Sequence, residues 1–153
     1  MAASDEWLKL DNQLCFLLYG ASRAVTQLYQ PLLEPLGLTY PQYLALLVLW
    51  EQDGIAVGSL GERLYLDSGT LTPLLKRLEA AGLVRRERSV DDERRVLVHL
   101  TDEGGALRSR ARGIPRDLAG ATGCSAEEVA SLTDQLQRLR TRLLAATAPA
   151  SAP

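Results

Sequence analysis

The sequence predicts a mainly α-helical fold with one small β-hairpin, an α+β domain. Leucines at helical spacing predict a helix over 66–79, and residues 83–100 have the pattern of a strand, a charged turn and a returning strand. Helical stretches with apolar faces precede and follow this centre. A helix, a turn, a second helix and a hairpin in this order are typical of a winged helix-turn-helix, and the outer stretches are predicted to be N- and C-terminal dimerisation helices.

A long first helix is predicted over 10–29, where apolar residues recur at helical spacing and two prolines follow. Cys15 and Tyr19 lie four residues apart, on one face of this helix. Tyr29 follows Cys15 by 14 residues, which places it on nearly the same face but roughly 21 Å away along the axis. The two side chains cannot meet in one straight helix, so a common site requires a helix break or a second subunit.

Capping and turn signals predict the next elements. Residues 39–42 have the form of a capping box, and a buried helix follows over 43–50. A short β segment at 55–57 leads into a helix over 59–65. Residues 66–67 then form the turn of the helix-turn-helix, directly before the central helix.

The central helix has two faces of different chemistry. Asp67 or Ser68 can cap its start, and four leucines form a face suited to burial. On the opposite face, hydroxyls can reach base edges or phosphates, a glycine permits close approach, and cations can neutralise phosphates. The candidate DNA-binding residues on that face are Ser68, Gly69, Thr70, Thr72, Lys76 and Arg77.

Two alternatives stay open for this helix. Pro73 lies within its pattern and costs a backbone hydrogen bond, so we expect either a kinked first turn or a delayed start with Thr72 as the cap. An ordinary amphipathic helix with a solvated polar face is the alternative to a DNA-reading one.

The hairpin carries basic residues at its tip. A helix followed by such a hairpin can enter the major groove of DNA while the hairpin, or wing, reaches an adjacent minor groove. Arg94 or Arg95 would be the inserted side chain, and Asp92 can orient the Arg94 guanidinium through a bidentate pair. A solvated hairpin with scattered charges is the alternative.

The C-terminal part is predicted to be helical, with a cap at 101–103, a bend near 113–115 and a second capping box at 125–128. The apolar residues of the last helix alternate steps of three and four, the spacing of a coiled coil. They therefore pack either on a partner helix or on the chain's own core. These residues are Val129, Leu132, Leu136, Leu139 and Leu143. We expect a flexible arm at 1–9 and a disordered tail at 145–153.

Composition limits the mode of DNA binding. The formal net charge of −2 argues against a uniformly basic surface that binds nucleic acid indiscriminately. We expect local, salt-sensitive binding at a basic cluster, which consists of Lys76, Arg77, Arg85, Arg86, Arg88, Arg94 and Arg95. No apolar run has the length of a membrane helix, and the N-terminus lacks the pattern of a signal peptide. A cytoplasmic protein without a membrane partner is therefore expected.

The two cysteines are the remaining candidates for chemistry, since the sequence contains no pattern for a metal site, a cofactor or an enzyme motif. Cys15 is either an inert buried thiol or a reactive one whose thiolate hydroxyl donors stabilise. The candidate donors are Tyr19, Tyr29 and Tyr40. Cys124 precedes a helix N-terminus, where the helix dipole favours a thiolate and a loop suits a partner thiol.

Two stretches resemble a known family of regulators. One is the wing motif Asp92-x-Arg94, followed by Val98-x-Leu100-Thr101 and Gly104. This motif resembles the multiple-antibiotic-resistance regulator (MarR) family. The block Leu64–Glu79 is similar to the organic-hydroperoxide-resistance branch of that family, and the resemblance runs from about Leu10 to Leu144. It implies one domain over 10–144, with a DNA-binding part at about 55–101 and dimerisation regions at 10–35 and 102–144.

The resemblance also implies a redox mechanism. In this branch an organic hydroperoxide oxidises a cysteine of the first helix to sulfenic acid, and tyrosines of the partner subunit hydrogen-bond its thiolate. Cys15 matches that cysteine, and Tyr29 and Tyr40 match the tyrosines. Tyr19 is a further candidate member of the site. Cys124 fits the second cysteine that forms an intersubunit disulfide, and a small cellular thiol is the alternative partner.

We therefore expect a homodimeric repressor that binds a pseudo-palindromic operator and is released by an organic hydroperoxide, so that a peroxide-detoxification gene is derepressed. A MarR-type repressor that senses a small aromatic ligand without cysteine chemistry is the first alternative. The second is a thiol peroxidase.

Overall fold

The computed structural model describes residues 5–149, and its fold is mainly helical with a small antiparallel sheet, as predicted. The helices are α1 (Leu14–Leu33), α2 (Tyr40–Glu51), α3 (Val57–Leu64), α4 (Ser68–Ala80), α5 (Asp102–Ala111), α6 (Ile114–Thr122) and α7 (Ala126–Thr147). The strands are β1 (Ile55–Ala56), β2 (Val84–Arg88) and β3 (Val96–Leu100). The chain divides into two compact units, one up to Ile114 and one from Pro115.

Helix α1 begins and ends later than predicted. A 3-10 turn, Leu10–Asn12, precedes it, and the helix continues through Pro31 to Leu33. Pro31 is tolerated because it lies in the last turn, where its missing N–H removes a single hydrogen bond. The first nine residues were predicted to be a flexible arm, but residues 5–9 form a turn in which Lys9 pairs with Glu6 at 2.5 Å. Residues 1–4 of that arm lie outside the described residues.

Helix α2 runs through the hydrophobic core. The predicted capping box starts it, since the Thr39 hydroxyl accepts the N–H of Gln42 and the Gln42 side chain accepts the N–H of Thr39. Leucines of α2 pack with the buried face of α4 and with Leu60 of α3. The buried leucines of α4 are Leu71, Leu74, Leu75 and Leu78. The leucine periodicity of the central helix therefore reports burial, as predicted.

Within residues 5–149, no single helix is both long enough and apolar enough to cross a membrane. The segments Leu14–Leu36 and Tyr40–Glu51 meet the requirement only as a pair, and that pair is bent by 71°.

A tight turn joins α3 to α4. Tyr65 ends α3 in the left-handed conformation, with φ of 58°, and Leu66 donates its N–H to the Gly61 carbonyl at 2.9 Å. The Asp67 carboxylate then accepts the N–H of Thr70 at 2.8 Å and caps α4. The helix starts at Ser68 with Pro73 inside it, so the expected alternative start at Thr72 is wrong. The Asp67 cap and the buried leucines stabilise the earlier start.

The sheet has the strand order β1-β3-β2, and all pairs are antiparallel. Strands β2 and β3 form the predicted wing, with Val84 opposite Leu100 and Arg88 opposite Val96. The short β1 joins the free side of β3. Asp53 holds this edge, because its carboxylate accepts the N–H of Leu100 at 2.8 Å.

Helix α5 starts where the wing ends. Thr101 caps it by accepting the N–H of Gly104, and the Thr101 hydroxyl donates to the Gly82 carbonyl at 2.6 Å. The Trp50 indole N–H donates to the Gly104 carbonyl at 2.9 Å, which attaches α5 to α2. At the other end, the Arg110 guanidinium donates to the Pro35 carbonyl at 2.9 Å. The predicted helix break follows, between Ala111 and Ile114.

In the second unit, the predicted capping box of Ser125 and Glu128 starts α7. None of the side chains of α7 is buried, and Val129, Leu132, Leu136 and Leu143 of its apolar seam are exposed. The helix ends at Thr147, beyond the predicted boundary at residue 144, because its last turn contains alanines, which have the highest helix propensity. Of the predicted disordered tail, residues 150–153 lie outside the described residues.

Gly104 is predicted to tolerate no side chain, since a Cβ there would lie 2.0 Å from the Leu83 carbonyl oxygen. Gly104→Ala should lower the free energy of unfolding by about 1–3 kcal/mol through overpacking. Its matched control is Gly105→Ala in the same helix, where a Cβ meets nothing within 4 Å. That change should stabilise the protein by roughly 0.5–1 kcal/mol. Urea denaturation at one protein concentration measures both, and equal stabilities of the two variants would contradict the packing argument.

Candidate functional site

Helix α4 presents the predicted DNA-reading face to solvent. Ser68, Gly69 and Thr70 are exposed in its first turn, and Lys76 and Arg77 are exposed further along. The backbone N–H of Thr70 holds the pKa of the Asp67 carboxyl below its usual range, so this cap is a carboxylate at neutral pH. The helix therefore has a buried leucine face and a polar, partly cationic face, as DNA reading requires.

The structure brings four of the predicted DNA-binding residues together beside the wing. A cleft of about 520 Å³ lies between α3, α4 and the hairpin. Thr72, Arg86, Arg94 and Arg95 line it, with Ser59 and Glu62 of α3 opposite. The hydroxyls and guanidinium groups of this cleft are suited to contacts with phosphate oxygens.

The Asp92 carboxylate does not act on Arg94 as predicted. It accepts the backbone N–H of Arg94 at 3.0 Å, and within residues 5–149 no ion pair joins it to the Arg94 guanidinium. An aspartate in a tight turn commonly accepts the N–H two residues on. Asp92 therefore shapes the wing tip through the backbone, and the side chains of Arg94 and Arg95 are exposed there.

Arg86, which the sequence predicted to contact DNA, is hydrogen-bonded to Glu79 within the protein. Its Nε lies 2.9 Å from Oε1 of Glu79, its Nη2 lies 2.9 Å from Oε2, and its backbone N–H donates to Oε1 at 3.0 Å. This hydrogen-bonding raises the pKa of Arg86 and lowers the pKa of Glu79. Sequence reasoning missed Glu79, because no local motif links it to a strand residue seven positions later.

Cys15 is exposed on α1, so the structure does not bury this thiol in the chain's own core. Apolar side chains around it are exposed as well, among them Leu14 at 54% and Phe16 at 43%. Tyr19 lies one turn away, and its hydroxyl oxygen accepts a hydrogen bond from Arg23 at 3.0 Å. The hydroxyl hydrogen of Tyr19 therefore stays available for donation to another group.

Tyr29 and Tyr40 form a second cluster, with ring centroids 4.7 Å apart. Tyr43, which sequence reasoning missed, joins them at 5.7 Å from Tyr29. Burial, followed by the neighbouring phenols, raises the pKa of Tyr29 to about 12, and burial raises the pKa of Tyr40 and Tyr43. These hydroxyls remain protonated, and are hydrogen-bond donors, throughout the physiological range.

The cysteine and the tyrosine cluster are not joined within one chain. Helix α1 is continuous from Leu14 to Leu33, so Cys15 and Tyr29 remain roughly 21 Å apart along its axis. A cleft of about 720 Å³ lies beside the tyrosines, between α1 and the start of α2. Arg23, Gln30, Leu33 and Tyr40 are among the residues that line it. One chain thus contains two candidate half-sites. The Cys15 thiol lies near the start of α1, and the tyrosine cluster, made of Tyr29 from α1 and Tyr40 and Tyr43 from α2, lies near its end.

Cys124 lies in the second unit, directly before the capping box of α7. It is half-buried, its N–H donates to the Thr122 hydroxyl at 3.3 Å, and its thiol contacts the Thr122 carbonyl at 3.9 Å. The predicted position before a helix N-terminus is correct. Both cysteines are free thiols in this structure.

Comparison with known proteins identifies relatives over most of the chain. The family model for the transcriptional regulator SarA/Rot matches residues 27–110. The organic hydroperoxide resistance transcriptional regulator of Bacillus subtilis is 53% identical over 132 residues, which cover 86% of this chain and 90% of that protein. These relatives are transcriptional regulators rather than enzymes, so the thiol peroxidase alternative is not supported.

Solved structures of AbfR from Staphylococcus epidermidis are also similar. Reduced AbfR bound to DNA is 36% identical with a TM-score of 0.74, covering 94% of this chain and 99% of that one. Overoxidised AbfR bound to DNA is 38% identical with a TM-score of 0.73, covering 92% and 98%. Disulfide-formed AbfR is 38% identical with a TM-score of 0.62, covering 90% and 97%.

The phenol of Tyr29 should titrate near pH 12. Because folding raises this pKa from the ordinary 10.0, the group stabilises the fold below pH 10 and loses that contribution as the pH rises towards 12. Tyr29→Phe should therefore remove the most alkaline phenolate step in ultraviolet absorbance and weaken the alkaline loss of stability. Tyr19→Phe, outside the ring cluster, is the control and should keep that step. An unchanged alkaline step in Tyr29→Phe would contradict the assignment.

Proposed function

The chain belongs to the MarR family of transcriptional regulators, and we propose that it is a homodimeric repressor whose operator binding is switched off by oxidation of Cys15. The observation that supports this most directly is the separation of the two half-sites. An exposed thiol and a cluster of protonated tyrosines lie at opposite ends of one continuous helix. Two antiparallel copies of α1 would bring each thiol to the partner's tyrosines.

Unpartnered apolar faces support the dimer. In the turn before α1 and in the first turns of α1, the exposed side chains include Trp7 at 77%, Leu14 and Leu17. On α7, the coiled-coil seam contributes Val129, Leu132, Leu136 and Leu143, and all four are exposed. Contiguous exposed apolar surface of this kind is characteristic of an association site. We assign both faces to contact with a second copy, so residues 10–35 and 102–144 provide the dimer interface.

DNA binding by the dimer follows from symmetry. Two copies of α4 would enter successive major grooves about 34–36 Å apart, on a pseudo-palindromic operator. The proposed base and phosphate contacts come from the exposed face of α4, that is Ser68, Gly69, Thr70, Thr72, Lys76 and Arg77. The exposed wing tip would supply Arg94 or Arg95 to the adjacent minor groove.

Oxidation would proceed in two steps. The Cys15 thiolate attacks the distal oxygen of an organic hydroperoxide, the O–O bond breaks, and the departing alkoxide takes a proton to become an alcohol. The sulfur is then a sulfenic acid. A second thiol, Cys124 of the partner or a small cellular thiol, attacks that sulfur and forms a disulfide with loss of water. Hydroxyl donors from Tyr19 and from the partner's tyrosine cluster would stabilise the attacking thiolate.

The states in which AbfR was solved favour the disulfide as the releasing step. The reduced and overoxidised forms of that relative were both solved bound to DNA, and a disulfide form of it was also solved. By analogy, an added oxygen on Cys15 is not sufficient for release here. A covalent link to a second thiol would displace α1 and change the spacing of the two α4 helices.

Binding to the DNA upstream of the protein's own gene tests the proposal. One equivalent of cumene hydroperoxide should reduce the affinity of the wild type by about a hundredfold, equivalent to about 3 kcal/mol. A thiol reductant should restore it, and Cys15→Ser should bind regardless of peroxide. Persistent binding by both proteins would remove Cys15 as the switch. It would favour a repressor that senses a small aromatic ligand, with the cleft beside Tyr40 as its site.

In the same assay, Cys124→Ser shows whether Cys124 or a small cellular thiol reacts with the sulfenic acid of Cys15. If Cys124 resolves, the variant should form the sulfenic acid, detected by a dimedone probe, but no disulfide-linked dimer on a non-reducing gel. Such a variant should release DNA only when a small thiol is added. A disulfide-linked dimer in Cys124→Ser would contradict the role of Cys124.

Arg94→Ala should weaken operator binding roughly tenfold to a hundredfold, since a base-contacting arginine contributes about 1–3 kcal/mol. The dependence of log affinity on log salt should lose about one unit of slope if Arg94 also displaces a counterion. The control is Lys9→Ala, which removes the same charge from a residue that pairs with Glu6, outside the proposed DNA-binding and dimerisation regions. Fluorescence anisotropy over a salt series measures both variants, and equal affinities would exclude Arg94 as the inserted side chain.

A further inference from the structure

Glu79 and Arg86 connect the recognition helix to the wing through a single carboxylate. Glu79 lies in the last turn of α4, and Arg86 lies at the middle of β2, opposite Val98. Two of the three guanidinium nitrogens of Arg86, Nε and Nη2, and its backbone N–H donate to this carboxylate, at 2.9 to 3.0 Å. Both side chains are about 30% exposed or less, at 31% for Glu79 and 27% for Arg86. We call this contact the Glu79–Arg86 fork.

We propose that the Glu79–Arg86 fork is a positioning device that fixes the wing relative to helix α4, so that Arg86 acts on DNA binding through Glu79 and not as a phosphate contact. This inference rests on the proposed DNA-binding function. It assigns a role to Glu79 and replaces the direct contact that the sequence predicted for Arg86.

The geometry supports positioning because the Nε and Nη2 groups of Arg86 and its backbone N–H all donate to Glu79 inside the protein. A guanidinium and a carboxylate in a two-point contact fix both distance and orientation, which a single point charge cannot do. Strand β2 is one of the two edge strands of the sheet, and the third donor is a backbone N–H of this strand. The fork therefore holds the backbone of the wing as well as a side chain.

The connection between α4 and β2 explains why such a device is needed. Only Ala81, Gly82 and Leu83 separate the two elements, and Gly82 adopts a φ of 74° in a tight turn. A strand of five residues is roughly 17 Å long, so a rotation of about 10° at its base moves the tip by about 3 Å. Arg94 and Arg95 lie at that tip. Their position in a groove depends on how firmly the base is held.

The alternative is that Arg86 contacts a phosphate. It predicts that Glu79→Gln changes the DNA affinity in the opposite direction. If Glu79 merely competed with DNA for Arg86, Glu79→Gln would free the guanidinium and raise the affinity. If the fork positions the wing, the same change should lower it. Arg86→Lys gives a second contrast, because it keeps the charge but cannot make the two-point contact.

The test uses the full-length reduced protein and a duplex that the wild type selects from random-sequence DNA. Glu79→Gln and Arg86→Lys should each lower affinity roughly fivefold to tenfold, and the double variant should lose no more than the larger single effect. The salt slope should stay unchanged, whereas a lost phosphate contact would lower it by about one. Glu51→Gln, which removes a carboxylate from an exposed pair with Arg63, is the control and should not weaken binding.

Unchanged or higher affinity of Glu79→Gln would overturn the proposal, as would wild-type affinity of Arg86→Lys. Amide hydrogen exchange without DNA gives an independent readout. Exchange should accelerate in residues 84–100 of Glu79→Gln and stay unchanged in α2, which also verifies that the variant folds. If the wild type selects no DNA sequence, the proposed function fails, and the exchange result alone decides whether the fork holds the wing.

Discussion

The contact of Thr101 with the turn at Gly82 and Leu83 is the constraint on which the DNA-binding part depends. Thr101 donates its N–H to Leu83 and its hydroxyl to Gly82, and the same hydroxyl caps α5. Gly104 lies so close to the Leu83 carbonyl that no other residue fits without movement. The end of α4, the end of the wing and the start of α5 therefore meet at one point.

The continuity of α1 determines how a thiol and its phenol donors can meet. A helix of 20 residues separates the two groups by most of its length, and its own hydrogen bonds keep that separation fixed. Because an unbroken helix cannot fold back, a site that joins Cys15 to Tyr29 requires a second chain. The exposed apolar side chains around Cys15 would be covered by the same contact. Assembly and thiol reactivity are thus coupled in the proposed mechanism, since a monomer would have Tyr19 but would lack the donors of the partner's tyrosine cluster.

Much of this fold could be predicted from local sequence patterns. The contacts between residues distant in the sequence could not. The caps at Thr39, Asp67 and Ser125 follow from residue types at fixed spacing, as does the wing. The effect of the prolines in α1 and α4 was overestimated, because each removes one hydrogen bond while the apolar face still packs. The partners of Arg86 and the third ring of the tyrosine cluster were missed. Those contacts depend on how α4 meets β2 and how α1 meets α2, which no short pattern specifies.

The hydrogen bonds of the acidic residues explain how a chain with a net negative charge can present a cationic surface for DNA. In the sequence these residues dilute the basic cluster, and the net charge is −2. In the fold they accept hydrogen bonds from the protein itself: Asp67 from Thr70, Glu79 from Arg86, Glu87 from Arg85 and Asp92 from Arg94. The pKa values of Asp67, Glu79 and Glu87 are lowered by these donors, so the carboxylates stay ionised and bound in place. They organise the cationic surface, while the exposed Lys76, Arg77, Arg94 and Arg95 would set its salt-dependent affinity.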